Sequence, residues 1–343
     1  MICFAPHDEY STLLREEGIE LHPIYSLQRK GKNPVKDLRL ISELKNAYRK
    51  HRIDLAIHFT IKPNIYGSIA AHRVGIPSIS VVTGLGYTFL SRGLSNRAAQ
   101  LLYRYAFRQN QLTIFQNPDD RNLFIDRHLV SKDRSTVVLG SGIDVDTYEM
   151  DVPVPIEPTF LFVGRLLHDK GIRELLQGFD EFSTKHPEAK LIIVGDPDTG
   201  NPTSISEKEL LPFRNKKSID FVGFQSDVRP YIRKAGAVIL PSYREGVPRT
   251  LLEALSMGRP VITTDVPGCR EIVVPGQNGW LIPSHDSQAL ARTLKEFYLT
   301  PDGEKQAMGQ NSRQLAEKKF STKVVNNSYL KWIEWTLKRC ADG

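Results

Sequence analysis

The sequence predicts an α/β chain built as two doubly wound, Rossmann-like domains facing a cleft. Three observations lead there. Short apolar, β-branched runs alternate with helical periodicities along the whole chain, the pattern of parallel sheets. The length of 343 residues suits two domains better than one. A proline-rich, acidic stretch, Asp151 to Pro158, interrupts the alternation, which then restarts.

Taken in order, Met1 to Ala5 reads as a strand, Glu9 to Glu17 as a helix and Ile19 to Tyr25 as a strand. Asn33-Pro34 opens a long amphipathic helix to about Arg52, with Asn as cap and Pro in the first turn. Strands follow at Ile53 to Phe59, Ser78 to Thr83, Leu112 to Phe115 and Thr136 to Leu139. Helices lie at Pro63 to Val74, Asn96 to Gln109 and Pro118 to His128, and Gly84-Leu-Gly86 is a tight turn. After the linker, strands are expected at Phe160 to Val163, Lys190 to Val194, Ile219 to Val222, Val238 to Leu240, Val261 to Thr264 and Trp280 to Ile282, with a helical tail from Ser287. The domains are thus 1–150 and 151–320, followed by a C-terminal helix over 321–343.

Composition narrows the class. Forty per cent of residues are hydrophobic, enough for a sizeable core. No run approaches the about 18 apolar residues of a membrane span. The start lacks the basic, then apolar, pattern of a secretory leader. Cys3, Cys269 and Cys340 are too few and scattered for a disulfide frame or zinc site. A cytosolic, reducing compartment is expected. The net charge is +7 and unevenly spread: Arg29 to Asn110 holds 15 Lys or Arg against 3 acids. Such a field attracts polyanions, anionic headgroups or a phosphorylated acceptor. Helix-turn-helix, RNP and zinc-finger patterns are missing, and aromatics do not interleave with the basic residues, so nucleic acid is not the expected partner.

One stretch concentrates chemistry, Val238 to Ile272. It reads as strand, loop, helix, strand, a βαβ unit. Glu245 lies in the loop and Glu253 in the helix, with a helix N-terminus between them that can seat a phosphate. Carboxylates on either side of that seat suit a ligand with hydroxyls flanking a phosphate, which describes a nucleotide sugar. Arg165 and Lys170 follow a strand and precede the helix from Ile172. Two cations there can hold a diphosphate and neutralise charge on a leaving group. The plainer alternatives are a solvated loop for the cations and an exposed helix glutamate for Glu253.

On these residues the chain resembles the retaining glycosyltransferases of the GT-B fold, family 4. Glu245-Gly-Val-Pro-Arg-Thr-Leu-Leu-Glu253 is similar to that family's two-glutamate signature. Phe162-Val-Gly-Arg165 with Asp169-Lys170-Gly171 resembles its phosphate-binding pair, and Val194-Gly-Asp196 and Phe221-Val-Gly-Phe224 also fall at family positions. In the first half, Thr60-Ile-Lys-Pro-Asn-Ile-Tyr-Gly67, Thr83-Gly-Leu-Gly-Tyr87 and Phe115-Gln-Asn-Pro118 resemble bacterial enzymes that add sugars to polyprenyl-diphosphate-linked oligosaccharides. There are two departures. Thr83 stands where many relatives have His. The family's opening strand, Gly-rich turn and helix are not found, so Met1 enters on what resembles the second strand; loss of a mid-sheet strand leaves an unpaired edge and an open core face.

The resemblance implies a transferase moving a sugar, an N-acetylhexosamine, from a UDP-sugar to a lipid-linked acceptor at the inner face of the bacterial plasma membrane, with same-face attack and no cofactor or metal. It implies catalytic roles for Glu245, Arg165 and Lys170. Donor contacts fall to Gly164, Arg165, Lys170, Gly223, Glu245, Gly246, Val247 and Glu253, and acceptor-side contacts to Thr83, Gly84, Gly86 and Lys62. The C-terminal helix is expected to pack back toward the first domain. Asn96 to Arg108, a basic amphipathic helix, can lie on an anionic membrane or simply pack on its sheet. Rival readings are a soluble acceptor, a truncated non-catalytic nucleotide- or polyanion-binding protein, a carboxylate-pair hydrolase and a metal-binding Asp196-Pro-Asp198. Gly84-Leu-Gly86 lacks the third glycine of a dinucleotide fingerprint, His7, His58 and His168 lack ligand-spaced partners, and no G-x-S-x-G points to a serine hydrolase.

Overall fold

Every pairing between named strands is parallel. The computed structural model describes residues 1–6, 11–27, 34–85 and 94–341. These form two units: Met1–Val138 with Leu330–Gly343, and Leu139–Tyr329. His7 and Asn33 lie outside the described residues, as does Gly86 of the expected tight turn.

In the first unit, β1 (Ile2–Ala5), α1 (Ser11–Glu16) and β2 (Glu20–Pro23) lead to α2 (Pro34–Lys50). Then come β3 (Ala56–Phe59), a π-helical turn (Pro63–Gly67) running into α3 (Ser68–Arg73), β4 (Ser78–Val82), α4 (Leu94–Arg108), β5 (Leu112–Phe115), α5 (Pro118–Asp126) and β6 (Ser135–Val137). The strands make two sheets, β1-β2 and β3-β4-β5-β6. β1 and β3 therefore belong to different sheets, each with one described partner. Helix α2 connects them. Its Tyr48 ring meets Phe4 of β1 edge-on, with centroids 5.4 Å apart, and its hydroxyl lies 3.0 Å from His58 Nε2 on β3.

His58 is buried, with Ser68 Oγ 3.3 Å from its Nδ1. Loss of water around the ring drives its pKa down to about 3. The unfolded imidazole titrates near about 6.5. Stability from the neutral ring is thus complete above that value and drains away as pH falls toward 3.

The second unit holds one six-stranded sheet, β12-β11-β10-β7-β8-β9. Its elements are β7 (Thr159–Val163), α6 (Ile172–Lys185), β8 (Lys190–Val194), α7 (Glu207–Arg214), β9 (Ile219–Gly223), α8 (Arg229–Lys234), β10 (Ala237–Leu240), α9 (Arg249–Ser256), β11 (Val261–Thr264), β12 (Gly279–Ile282), α10 (Ser287–Leu299) and α11 (Asp302–Leu315). Strands β10 and β11 are buried along their whole length, as their unbroken apolar runs require. α12 (Thr322–Ala341) begins in this unit and contributes its residues from Leu330 onward to the first.

The stretch Asp151 to Pro158, read from sequence as a linker, lies within the second unit. Its prolines mark irregular backbone, but the segment is strapped down. Val154 exchanges two hydrogen bonds with Gln306, at 2.9 and 2.7 Å. Buried Arg259 donates to the carbonyls of Val152, Ile232 and Arg233.

We expect the urea midpoint of the wild-type protein to fall between pH 6.5 and 4, and this fall to flatten in His58→Gln, which cannot take up the proton. Equal slopes in the two proteins would show that His58 is not the titrating group.

Candidate active site at the switch point of the second unit

Chain order in the second sheet reverses between β7 and β10, which are neighbours in space. That reversal is the switch point, the place where doubly wound sheets generally bind ligands. Both sequence-predicted motifs sit on it: Gly164 and Arg165 follow β7, and Ser242 to Val247 follow β10.

The two loops are stitched together. Gly171 has φ 70°, and a Cβ there would stand 2.0 Å from the carbonyl oxygen of Pro241, so only glycine lets α6 start this close to the end of β10. Tyr243 N–H donates to Asp169 O at 2.9 Å. Lys170 is thereby carried to Glu245: Nζ to Oε1 is 2.5 Å, with side chains 24% and 14% exposed. The buried Ser242 hydroxyl donates to the same Oε1 at 2.7 Å. The Glu245 loop rests on Pro267-Gly268. Glu245 N–H donates to Pro267 O at 3.0 Å, and a Cβ on Gly268 would lie 2.3 Å from the carbonyl oxygens of Glu245 and Gly246. Pro248, the N-cap of α9, has no side chain that can cap the helix.

Glu253, the fifth residue of α9, is only 7% exposed, which removes the exposed-glutamate reading. Burial raises its pKa above the ordinary carboxylate range, opposed by Arg249 and Tyr148. Arg249 Nε donates to Glu253 Oε1 at 3.1 Å. Thr250 Oγ1 donates to Val163 O at 3.3 Å, tying the start of α9 to the end of β7.

Arg165 Nη1 lies 2.7 Å from Asp198 Oδ2. The pair is partly exposed, so it is worth about 0–1 kcal/mol and yields readily to a stronger anion. Asp196 instead accepts the Phe224 N–H at 3.1 Å, just past Gly223 at the end of β9. The two aspartates thus serve different partners. Among the described residues no cluster of three or more His, Cys, Asp or Glu forms a metal site.

In the first unit, Thr83 and Gly84 follow β4, and Lys62 follows β3 across Thr60, whose φ of 69° is strained for a β-branched residue. Lys62 Nζ lies 3.1 Å from Asp37 Oδ1, and Tyr66 donates to Asp37 Oδ2 at 2.8 Å. On α4, Tyr103, Ala106 and Phe107 face the core while Leu101, Leu102 and Tyr105 are exposed beside Arg104 and Arg108. Phe107 faces inward because it lies four residues from Tyr103 on the packed side.

Sequence reasoning missed Ser242, Arg249 and Tyr148. Arg249 was detectable, since a cation four residues before a helix glutamate pairs with it. Tyr148 reaches Glu253 only through tertiary structure.

A six-stranded doubly wound unit with cations and carboxylates at its switch point, beside a second parallel-sheet unit, defines a glycosyltransferase of the GT-B fold. The chain belongs to the glycosyltransferases whose N-terminal part is described as glycosyl transferase 4-like, matched over residues 2–117, and whose C-terminal part is described as glycosyl transferases group 1, matched over residues 153–315. It is 24% identical to the N,N'-diacetylbacillosaminyl-diphospho-undecaprenol alpha-1,3-N-acetylgalactosaminyltransferase of Campylobacter jejuni, over 98% of this chain and 92% of that protein. It is 25% identical to the UDP-Gal:alpha-D-GlcNAc-diphosphoundecaprenol alpha-1,3-galactosyltransferase of Escherichia coli, over 81% of this chain and 74% of that protein. Among solved structures, HepE of Anabaena in complex with UDP superposes with a TM-score of 0.79 at 20% identity, covering 97% of this chain and 91% of that one.

Gly268→Ala forces the Glu245 loop to move. We expect destabilisation of about 2 kcal/mol and, in calorimetry, at least tenfold weaker UDP binding; unchanged affinity would show that the loop takes no part in donor binding.

Proposed function

We propose that this chain moves a sugar, an N-acetylhexosamine, from a UDP-sugar to a polyprenyl-diphosphate-linked acceptor, with retention at the anomeric carbon, on the inner face of the bacterial plasma membrane. The observation that carries the reading is the placement of Lys170 and Glu245 in contact at the switch point. The activities named for the Campylobacter and Escherichia relatives, both on undecaprenol diphosphate-linked sugars, support the acceptor class. The UDP in the Anabaena complex supports the nucleotide.

In this mechanism the diphosphate enters beside Arg165 and Lys170, against the N-terminus of α9 with the N–H groups of Gly246 and Val247. Its charge draws Lys170 from Glu245 and Arg165 from Asp198. Glu245 then accepts a hydroxyl of the transferred sugar, and Glu253, held by Arg249, accepts ribose hydroxyls; Gly164 and Gly223 let backbone approach the donor. The bond between the anomeric carbon and the phosphate oxygen breaks as the acceptor hydroxyl attacks the same face. The leaving phosphate oxygen takes the acceptor's proton. Cations and helix dipole stabilise the charge that grows on UDP, the role a metal plays elsewhere, so no metal is required.

Acceptor contacts fall to Thr83, Gly84, Gly86 and Lys62. The basic first unit and the outward face of α4 suit an anionic membrane, where Leu101, Leu102 and Tyr105 would enter the interface and Arg104 and Arg108 would meet headgroups. No described helix is long and apolar enough to cross a membrane.

Lys170→Ala and Glu245→Ala are expected to lower transfer at least about 100-fold with unchanged circular dichroism, and turnover is expected to survive EDTA. Wild-type-like transfer by either variant would remove the assignment. Leu101→Asp with Tyr105→Asp should abolish co-sedimentation with anionic vesicles and spare transfer to a detergent-dispersed acceptor; undiminished vesicle binding would overturn the membrane part alone.

A further inference from the structure

The first unit has a second basic site on the edge of its sheet opposite the acceptor loops. Strands β4, β5 and β6 run parallel, so the residues just before them share one edge, the N-terminal one. Thr83, Gly84 and Lys62 follow their strands and lie at the C-terminal edge. A cavity of about 410 Å³ opens at the N-terminal edge. It is lined by Gly75 to Pro77 before β4, Gln109 and Gln111 before β5, and Arg134 before β6, with His72 from the end of α3 and Arg339 from the end of α12.

Its lining carries two guanidiniums, two side-chain amides, the His72 imidazole and the Cys340 thiol. Among the described residues, no acid lies within ion-pair distance of Arg134, Arg339 or His72. The acid that feels both arginines, Asp133, is on the surface, where the Ser131 hydroxyl is the main group holding its carboxyl low. The arginines are held in place. Arg121 donates to Ser135 O and Lys132 O, both at 3.1 Å, and so fixes the loop that carries Arg134. Arg339 sits 5.1 Å from the centroid of the Trp335 ring. Gln111 Oε1 accepts the Ser78 N–H at 2.8 Å, which leaves its NH2 as a donor. Two guanidiniums, an imidazole and amide donors round a cavity of this size match a phosphoryl group, because guanidinium forks pair with phosphate oxygens.

We propose that this recess, bounded by Arg134, Arg339 and His72, binds a phosphoryl-bearing anion at a site separate from the transfer chemistry, and that the bound anion pins the end of α12 to the first unit. Without an anion, like charges on α12 and on the β6 loop face one cavity and oppose docking of the helix end. With one, both guanidiniums share a counter-ion.

The test is amide hydrogen exchange over residues 330–341 of the full chain, in millimolar inorganic phosphate and in chloride at matched ionic strength. A parallel arm uses vesicles of phosphatidylcholine with and without phosphatidic acid. Phosphate is expected to slow exchange in this segment at least about threefold, and Arg134→Gln and Arg339→Gln are each expected to abolish the effect while leaving transfer unchanged. Circular dichroism checks that the variants fold. Protection by free phosphate or by phosphatidic acid vesicles supports the site, and the effective arm identifies the source of the group. Protection by neither, equal protection in chloride, or protection that persists in Arg134→Gln overturns it. Donor binding in the second unit is read separately, from peptides covering Arg165 to Lys170.

Discussion

One oxygen holds the two loops at the switch point of the second unit in register. Glu245 Oε1 receives Lys170 from the β7 side and Ser242 from the β10 side. Two segments separated by 75 residues in sequence thus converge on one atom. That convergence depends on backbone approaches that side chains would block, at Gly171 against Pro241 and at Gly268 against Glu245. It depends equally on the strand order, because β7 and β10 are adjacent only where the winding reverses. A partly buried ion pair reinforced by a buried hydroxyl positions its members better than it stabilises the fold, since desolvation offsets much of the attraction.

The first unit reaches order by another route. Its strands fall in two sheets, and α2 spans them through Tyr48, with Phe4 on one side and His58 on the other. The buried polar chain continues from His58 through Ser68 to Ser80 and Asn110. Such a network specifies geometry while every member is satisfied and becomes costly once one is charged or removed. The same unit concentrates basic residues, and its topology distributes them between two sheet edges: Lys62, engaged with Asp37, at one and Arg134 with Arg339 at the other.

Much of this was legible in the sequence, for local reasons. Apolar runs such as Val238 to Leu240 and Val261 to Thr264 fix parallel strands by burial on both faces, and the structure places β10 and β11 there. The two glutamates and the cations that follow β7 could be placed at one end of the sheet because strand–loop–helix order fixes where the loops after parallel strands fall. What escaped has tertiary causes. Ser242 reads locally as a strand terminator, and its role exists only once Glu245 folds back over it. Asp198 resembles half of a metal motif until Arg165 is seen against it. The proline-rich stretch reads as a linker because its anchors, Gln306 and Arg259, lie more than 100 residues away.

Pairing of opposite charges lets a site rich in charge avoid self-repulsion. Arg165 with Asp198 and Lys170 with Glu245 are two pairs of opposite sign, each at least partly reached by water. Water weakens each pair enough for a diphosphate, with more charge and more oxygens than one carboxylate, to compete for the cations. In the proposed reaction the exchange would conserve charge: the cations would turn to phosphate and the carboxylates would be released toward hydroxyls. Glu245, held by Ser242, would in that reaction meet the sugar already oriented, with the ordering cost falling on the folding of the loop. Glu253 follows the opposite logic. Burial raises its pKa and it pairs with Arg249, which in the proposed reaction suits a fixed acceptor for neutral hydroxyls. The two glutamates of this nine-residue motif thus have different partners, Lys170 and Ser242 for Glu245 and Arg249 for Glu253.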